Sequence, residues 1–423
     1  MTILHCNDCH FFAFHICVSF LCKAYKQRGF IMKKIWIGVI LVLCVCILTL
    51  TAWITVPRLF VDLYSEDGKT VSAWLFDVEE YKNNGWYETP VVTMYAPDGQ
   101  QMVVNASEME EYQADGWYEE PVTVLYQIDG NSEVVLQSQA EAKLENGWFL
   151  EPVAQMTKNG ETKTITVFQT DSYRKEGWNF KEYCVGLPEL SRQIQDYIAT
   201  KTGNYGVYVK NLNTGDLLVL NDGKFPAASV IKLYQMAAIY DEIHKGNLTM
   251  NSDTEFYLHE MITVSDNYAS NELVRIIGHG DYRKGFDILN RFADATGCIN
   301  TQQLSLFSEA GYFVAYGSNR VSPYDCGQIL EQIYRRTLIS PQYSDEMLAL
   351  LKQQTRQHKI PYPLPEGVMC ANKTGETSTI ENDVAIVYSP ACDYIICVMT
   401  NNAPSGIYDI RDISQMTYQY FNP

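Results

Sequence analysis

Positive charge is what this chain has least of. Its 423 residues carry 32 Lys and Arg against 50 Asp and Glu, a net charge of −18, and no basic patch stands ready to follow a nucleic-acid backbone. Histidine is scarce too. There are seven, and His244, His259, His279 and His358 lack ligand spacing, so they read as surface or helix-end residues rather than a metal site. No glycine-rich phosphate loop joins a strand to a helix. The sequence therefore implies neither a metal nor a cofactor. Beyond residue 60 the cysteines are Cys184, Cys298, Cys326, Cys370, Cys392 and Cys397. An even number permits disulfides in an exported chain, but the spacing forms no dense framework, and no pairs are assigned.

One long apolar run is present. Ile35–Val56 holds 22 residues without a charge, long enough to cross a bilayer as a helix. Lys33 and Lys34 before it predict a cytoplasmic N-terminus and an outward-facing remainder, giving a single-pass anchor over 32–57 in the cell membrane. Arg58 reduces that asymmetry. A cleaved signal peptide with Ala52 near its cleavage site is the alternative reading, against which the run exceeds the usual h-region. Residues 1–31 read as a mis-annotated extension, because Arg28-Gly29 is encodable by a purine-rich tract at ribosome-binding distance from Met32. Cys6-x-x-Cys9-His10 then needs no metal.

Residues 61–183 repeat themselves. Gly85-Trp86-Tyr87, Gly116-Trp117-Tyr118, Gly147-Trp148-Phe149 and Gly177-Trp178-Asn179 recur at intervals of 31, 31 and 30 residues, and Asp67-Gly68, Asp98-Gly99, Asp129-Gly130 and Asn159-Gly160 keep the same beat. Such periodicity marks a repeat array. Within one period, Val91–Tyr95 and Gln101–Val104 predict a hairpin around Asp98-Gly99, followed by a short helix capped by Ser107 and stopped by Gly116. Small ββα units of this kind stack to bury their aromatics, which makes the array a spacer; contact with cell-wall sugars through the aromatics is the alternative. The array resembles tandem GWY-containing repeats of surface proteins from Gram-positive bacteria.

Phe225–Lys245 predicts a buried helix with Pro226 in its first turn and Gly246 at its stop. It sets Ser229 and Lys232 at i and i+3, a hydroxyl and an amine on one face near the positive end of the helix dipole. Met261–Asn267 follows with Ser265-Asp266-Asn267, and Lys373-Thr374-Gly375 lies on a predicted strand near the C-terminus. A serine nucleophile needs a nearby base, and the developing oxyanion needs fixed donors. The ordered trio S-x-x-K, S-D-N and K-T-G resembles the class A β-lactamase and penicillin-recognising serine hydrolases. Residues 204–421 carry the resemblance further, through Tyr205–Val209 with Asn213-Thr214-Gly215, and through Asn382–Tyr388.

The resemblance implies that Ser229 forms an acyl-enzyme with Lys232 as candidate base, and that Ser265 passes a proton toward the leaving nitrogen. It implies that Asn267 holds the substrate's side-chain amide, that Lys373 and Thr374 receive its carboxylate, that Gly375 and Glu376 also bind the substrate, and that the backbone N–H groups of Ser229 and Glu376 form the oxyanion hole. Two departures stand out. Asn319-Arg320-Val321-Ser322-Pro323 resembles the family's D-T-T-T-P-like segment with Asn replacing Asp, and Leu304–Ser318 holds no E-x-x-L-N, Glu309 being its one carboxylate. The stretch between Lys232 and Ser265 also reads as shortened, which implies a more open cleft.

The expected fold of 184–423 is α+β, an antiparallel sheet flanked by helices with an all-helical subdomain, preceded by the ββα repeats and one transmembrane helix. The expected function is a membrane-anchored extracellular serine hydrolase opening β-lactams or related D-alanyl amides. Two alternatives stand beside it. One is a non-hydrolytic binder of penicillin or wall peptide, slow to deacylate, and the other a structural surface protein with a vestigial hydrolase domain.

Overall fold

A computed structural model describes Leu43, residues 59–308 and residues 314–423. The extension 1–31 and, Leu43 apart, the run Ile35–Val56 lie outside the described residues, as does Glu309. Among the described residues no helix is long and apolar enough to cross a membrane. The chain divides into two compact units, Met1–Val122 and Thr123–Pro423.

In the first unit β1 (Phe60–Ser65) and β2 (Thr70–Trp74) pair as an antiparallel hairpin, α1 (Val78–Asn83) follows, and β3 (Trp86–Tyr87) returns to β1. The next segment forms the hairpin β4 (Val91–Tyr95) and β5 (Gln101–Asn105), then α2 (Met109–Ala114). Glycine is required at its ends: Gly99 in the hairpin turn and Gly116 after the helix both have φ +85°, a left-handed value that side chains disfavour. Leu63 and Ala73 fill the inner face of the first hairpin, as Met94 and Val104 fill that of the second. Trp86 meets Tyr81 edge-on at 5.8 Å between ring centres, and Trp117 meets Tyr112 at 6.2 Å. Each Trp thus closes onto its own helix. Ser107 caps no helix; it lies inside a 3-10 turn, Ala106–Glu108, that precedes α2.

Two more hairpin–helix segments follow, all but Val122 in the second unit: β6 (Val122–Tyr126), β7 (Ser132–Leu136) and α3 (Gln137–Glu145), then β8 (Val153–Lys158), β9 (Glu161–Thr166) and α4 (Thr170–Lys175). After them come β10 (Asn179–Val185), α5 (Pro188–Ala199), β11 (Asn204–Asn211), β12 (Leu217–Leu220) and β13 (Phe225–Pro226). A helical run follows: α6 (Lys232–His244), α7 (Ser252–Thr263), α8 (Asn267–Ile277) and α9 (Tyr282–Ala295). Then β14 (Arg320–Val321), α10 (Pro323–Tyr334) and α11 (Pro341–Lys352) lead to β15 (Met369–Glu376), β16 (Glu381–Tyr388), β17 (Asp393–Asn401) and the closing α12 (Gly406–Phe421).

Eight strands make one sheet in the order β15-β16-β17-β11-β12-β10-β8-β9, every neighbouring pair antiparallel. Its two faces separate by alternation along the strands. Val207, Val209, Leu218, Leu220, Ile396 and Val398 pack with Leu190 and Ile194 of α5 and Ile410 and Ile413 of α12. Tyr208, Val219, Ile395, Cys397 and Met399 join the core of the helical layer on the other side. The two terminal helices are also tied by Tyr197, which donates its hydroxyl to Asp409 at 2.9 Å.

The boundary expected at 183/184 falls inside β10. The first half of β10 pairs with β8, from Asn179 opposite Thr157 to Tyr183 opposite Ala154, and its second half pairs with β12, from Glu182 opposite Leu220 to Val185 opposite Leu217. Hydrogen bonding therefore runs straight through the place where composition changes. Arg174 of α4 reinforces the join. Its side chain is buried, Nη1 donates to Asp222 Oδ2 at 2.6 Å, Nη2 donates to Asp325 Oδ1 at 2.8 Å, and the guanidinium lies 4.1 Å from the Tyr324 ring centre.

Candidate active site

The nucleophile segment begins as a strand. Phe225 and Pro226 pair with Val321 and Arg320, and Ala227 N donates to Asn319 O at 3.0 Å. Ala228 then takes φ +43°, a left-handed value for a residue with a Cβ. The helix expected from Pro226 consequently starts later, as a 3-10 turn over Ala228–Ile231 that continues into α6 at Lys232. Ser229 sits half-buried in that turn, and Lys232 is fully buried.

The second motif is built around another left-handed residue. α7 ends at Thr263, Ser265 has φ +64°, and Asp266 caps α8 by accepting from Ala269 N at 2.7 Å. This turn aims both Ser265 and Asn267 at Lys232. The Lys232 amine donates to Ser265 O at 2.8 Å and to Asn267 Oδ1 at 2.7 Å, with Ser265 Oγ at 3.5 Å. From the other side comes β15, whose Lys373 donates to Ser265 Oγ at 2.8 Å and to Thr374 O at 2.9 Å. Ser265 Oγ therefore links the two amines. Burial, together with the charges of Lys232 and Arg356, holds Lys373 well below the usual lysine range.

Gly375 sets how closely β15 approaches the nucleophile. A Cβ there would stand 3.0 Å from Ser229 N and Val230 N, and 2.9 Å from Ala227 O. Only glycine lets the strand backbone lie against the turn. Thr374 Oγ1 is buried and has no hydrogen-bond partner among the described residues. Glu376 ends the strand among cations: Arg356 donates to its Oε1, His358 Nε2 lies 3.1 Å from Oε2, and the buried Lys359 ammonium lies 3.4 Å from Oε2. These charges outweigh its burial and hold the carboxyl down at about 2. Lys359 also donates to Gly375 O at 3.1 Å and Asn382 O at 3.2 Å, fixing β15 against β16.

Residues 302–308 and 314–320 form the remaining wall. Asn319 Oδ1 accepts from Leu304 N at 2.8 Å and Ser305 N at 2.9 Å, while its Nδ2 donates to Ser305 O at 3.0 Å. Asn271 of α8 donates to Phe307 O and accepts from Phe307 N, both at 2.9 Å. The Phe307 ring centre is thereby held 4.3 Å from Lys232 Nζ. Sequence reading missed Phe307, Lys359 and the surroundings of His358, since none belongs to a motif. For Asn319 a signal existed in the Asn-Arg-Val-Ser-Pro segment. Asn319→Ala removes all three bonds and leaves two loop N–H groups unpaired, which lowers unfolding stability by roughly 1–3 kcal/mol in a denaturant titration.

Residues 189–256 and 252–421, more than half of the chain, match the model of the β-lactamase enzyme family. The chain belongs to this family. Its similarity to the β-lactamase VEB-1 of Pseudomonas aeruginosa is 24% identity over 274 residues, covering 55% of this chain and 90% of that one. Among solved structures, PBP-A is 27% identical with a TM-score of 0.50, covering 56% of this chain and 97% of PBP-A. A β-lactamase from Sphaerobacter thermophilus DSM 20745 is 21% identical with a TM-score of 0.48, covering 56% and 98%. The family's match begins at residue 189, so the strands β8, β9 and β10 that extend this chain's sheet lie before it.

Proposed function

We propose that this family member opens β-lactams or related D-alanyl amides by acylating Ser229. Ser229 Oγ adds to the carbonyl carbon and its proton passes to the Lys232 amine. The C–N bond then breaks, Ser265 delivers its hydroxyl proton to the departing nitrogen and takes in exchange the proton held by Lys232, and an ester remains on Ser229. The backbone N–H groups of Ser229 and Glu376 hold the oxyanion, Asn267 the substrate's side-chain amide, and Lys373 with Thr374 its carboxylate.

The observation that carries this reading is the position of Ser265 Oγ, 2.8 Å from the Lys373 amine and 3.5 Å from that of Lys232. A hydroxyl placed there can relay a proton between the two amines, and proton transfer in place is what a weak serine nucleophile needs. The unpartnered Thr374 Oγ1 supports the carboxylate assignment, because a buried hydroxyl without a partner is corrected by a bound acceptor. In the same reading residues 32–57 anchor the chain in the cell membrane with the hydrolase outside, and residues 61–183 act as spacer or wall contact.

The lack of an E-x-x-L-N glutamate between Leu304 and Ser318 favours a second reading of the same site, acylation with slow release. Glu309→Gln in the full chain separates the two. Unchanged, slow release of product in that variant supports the slow-release reading, and a fall in multiple-turnover rate with an unchanged acylation rate assigns Glu309 as the water-activating base.

A further inference from the structure

The first hairpin changes character along its length. Its outward face carries Asp62 opposite Ser72, with the Ser72 hydroxyl donating to the Asp62 carboxylate, and then, at its open end, Phe60 opposite Trp74. Those two rings lie 4.8 Å apart, and Phe60 is 40% and Trp74 49% exposed. The chain continues from Trp74 into a turn closed by Asp77 N donating to Trp74 O at 2.8 Å, and the tip of that turn is Leu75 and Phe76, 50% and 83% exposed. Four large apolar side chains, three of them consecutive in the chain, are thus exposed to water.

The corresponding positions of the other repeats show that the fold does not require them. Phe60 is replaced by Val91, Val122 and Val153, and Trp74 by Asn105, Leu136 and Thr166. Leu75 corresponds to Ala106, Gln137 and Val167, and Phe76 to Ser107, Ser138 and Phe168. The second repeat builds the same hairpin with Asn105, Ala106 and Ser107 there. The fourth keeps one exposed ring, Phe168. The full cluster is confined to the repeat nearest the apolar run.

Its place in the chain names its partner. Leu75 N donates to Leu59 O at 2.9 Å, so the cluster surrounds the point where the chain arrives, and Ile35–Val56 ends four residues before Phe60. We propose that Phe60, Trp74, Leu75 and Phe76 rest in the interface of the bilayer that Ile35–Val56 enters, a proposal that depends on that run being the membrane anchor. Trp and its aromatic neighbours suit the level of the lipid headgroups, where an apolar body and a polar edge are both satisfied. The attachment is apolar rather than electrostatic. Residues 57–87 hold three Lys and Arg against six Asp and Glu, so anionic lipid offers this repeat no attraction.

The test uses the full chain in bilayer nanodiscs made with lipids brominated near the headgroup, which quench tryptophan by contact. Trp36 and Trp53 lie in the apolar run, so their quenching reports the anchor by itself. In a Trp36→Phe/Trp53→Phe chain, quenching persists at about 0.5 M salt, which shortens the Debye length to roughly 4 Å and screens charge attraction, and Trp74→Phe abolishes it. Quenching of the unmodified chain without any Trp74 contribution keeps the anchor and overturns the proposal. Shielding of Trp74 from a water-soluble quencher with no effect of lipid bromine means that protein covers the cluster, which also overturns it. No quenching of any chain, with recovery free of discs, removes the anchor and the proposal with it. Phe76→Ser, the residue found in the second and third repeats, keeps the hairpin and reduces the Trp74 signal if the tip inserts.

Discussion

Arg174→Leu in the full chain is expected to lower unfolding stability by about 3–5 kcal/mol, the usual effect of removing one partner from a buried ion cluster. Asp222 and Asp325 are fully buried around Arg174. Without it, two carboxylates face each other in a low-dielectric interior with hydrogen bonds but no cation. Removing the charges as well relieves the problem, so Arg174→Met combined with Asp222→Asn and Asp325→Asn should recover much of the loss. Denaturant titrations of the three chains check this.

The pH dependence follows from the same cluster. Burial and Asp222 push Asp325 up to about 7 even with Arg174 present, whereas an unfolded aspartate titrates near 3.9. Between those values the folded chain holds more protons than the unfolded one, so this group's contribution to stability declines as pH rises from about 4 to 7. Loss of Arg174 raises both carboxyls further, and the gap between Arg174→Leu and the unmodified chain should narrow as the solution is acidified. A gap that is constant across this range would place the effect in packing against Tyr324 instead. The cluster also reaches toward the site. Asp325 accepts from Asn300 N at 2.8 Å and Thr301 Oγ1 at 3.0 Å, and Asp222 accepts from Tyr324 N at 3.0 Å. Those residues lead into the wall segment that begins at Gln302 and the start of α10.

Lys232→Met is expected to slow acylation by a factor of roughly 10²–10⁴, the range attributable to a positioned base. The substitution keeps an unbranched apolar stem of similar length, so the helix and its packing survive. It removes the amine that bonds Ser265 O and Asn267 Oδ1. Intact-mass time courses with a β-lactam give the rate directly. A rate within a few-fold of the unmodified chain would assign the base to Lys373, the other amine on Ser265 Oγ.

Much of the site was legible because its parts are short and local. Ser229 with Lys232, Ser265 with Asn267, and Lys373 through Glu376 each sit in one turn or strand, and the order of the three motifs carried the resemblance. The regular spacing of the Gly-Trp pairs over 61–183 was legible because a period needs no knowledge of the fold. What escaped were features created by long-range pairing. The strand β13 looks like a first helical turn until Arg320 and Val321 arrive to pair with it, Val321 96 residues on from Phe225 and Arg320 94 from Pro226. The division at 183/184 follows a true change in composition, yet β10 serves both halves. Arg174 reads as one more basic residue in a short surface helix, since its partners lie 48 and 151 residues away. Phe307 carries no motif at all, and only Asn271 and the fold of the wall bring it to Lys232.

The most direct measurement is a time course of the full chain with a fluorescent penicillin and a chromogenic cephalosporin, followed by intact-mass analysis, beside Ser229→Ala. The account predicts a covalent adduct of one β-lactam per chain, located on the peptide containing Ser229 and absent from Ser229→Ala, whether or not product is later released. An adduct that persists in Ser229→Ala, or an unmodified chain that yields neither adduct nor product, would contradict it.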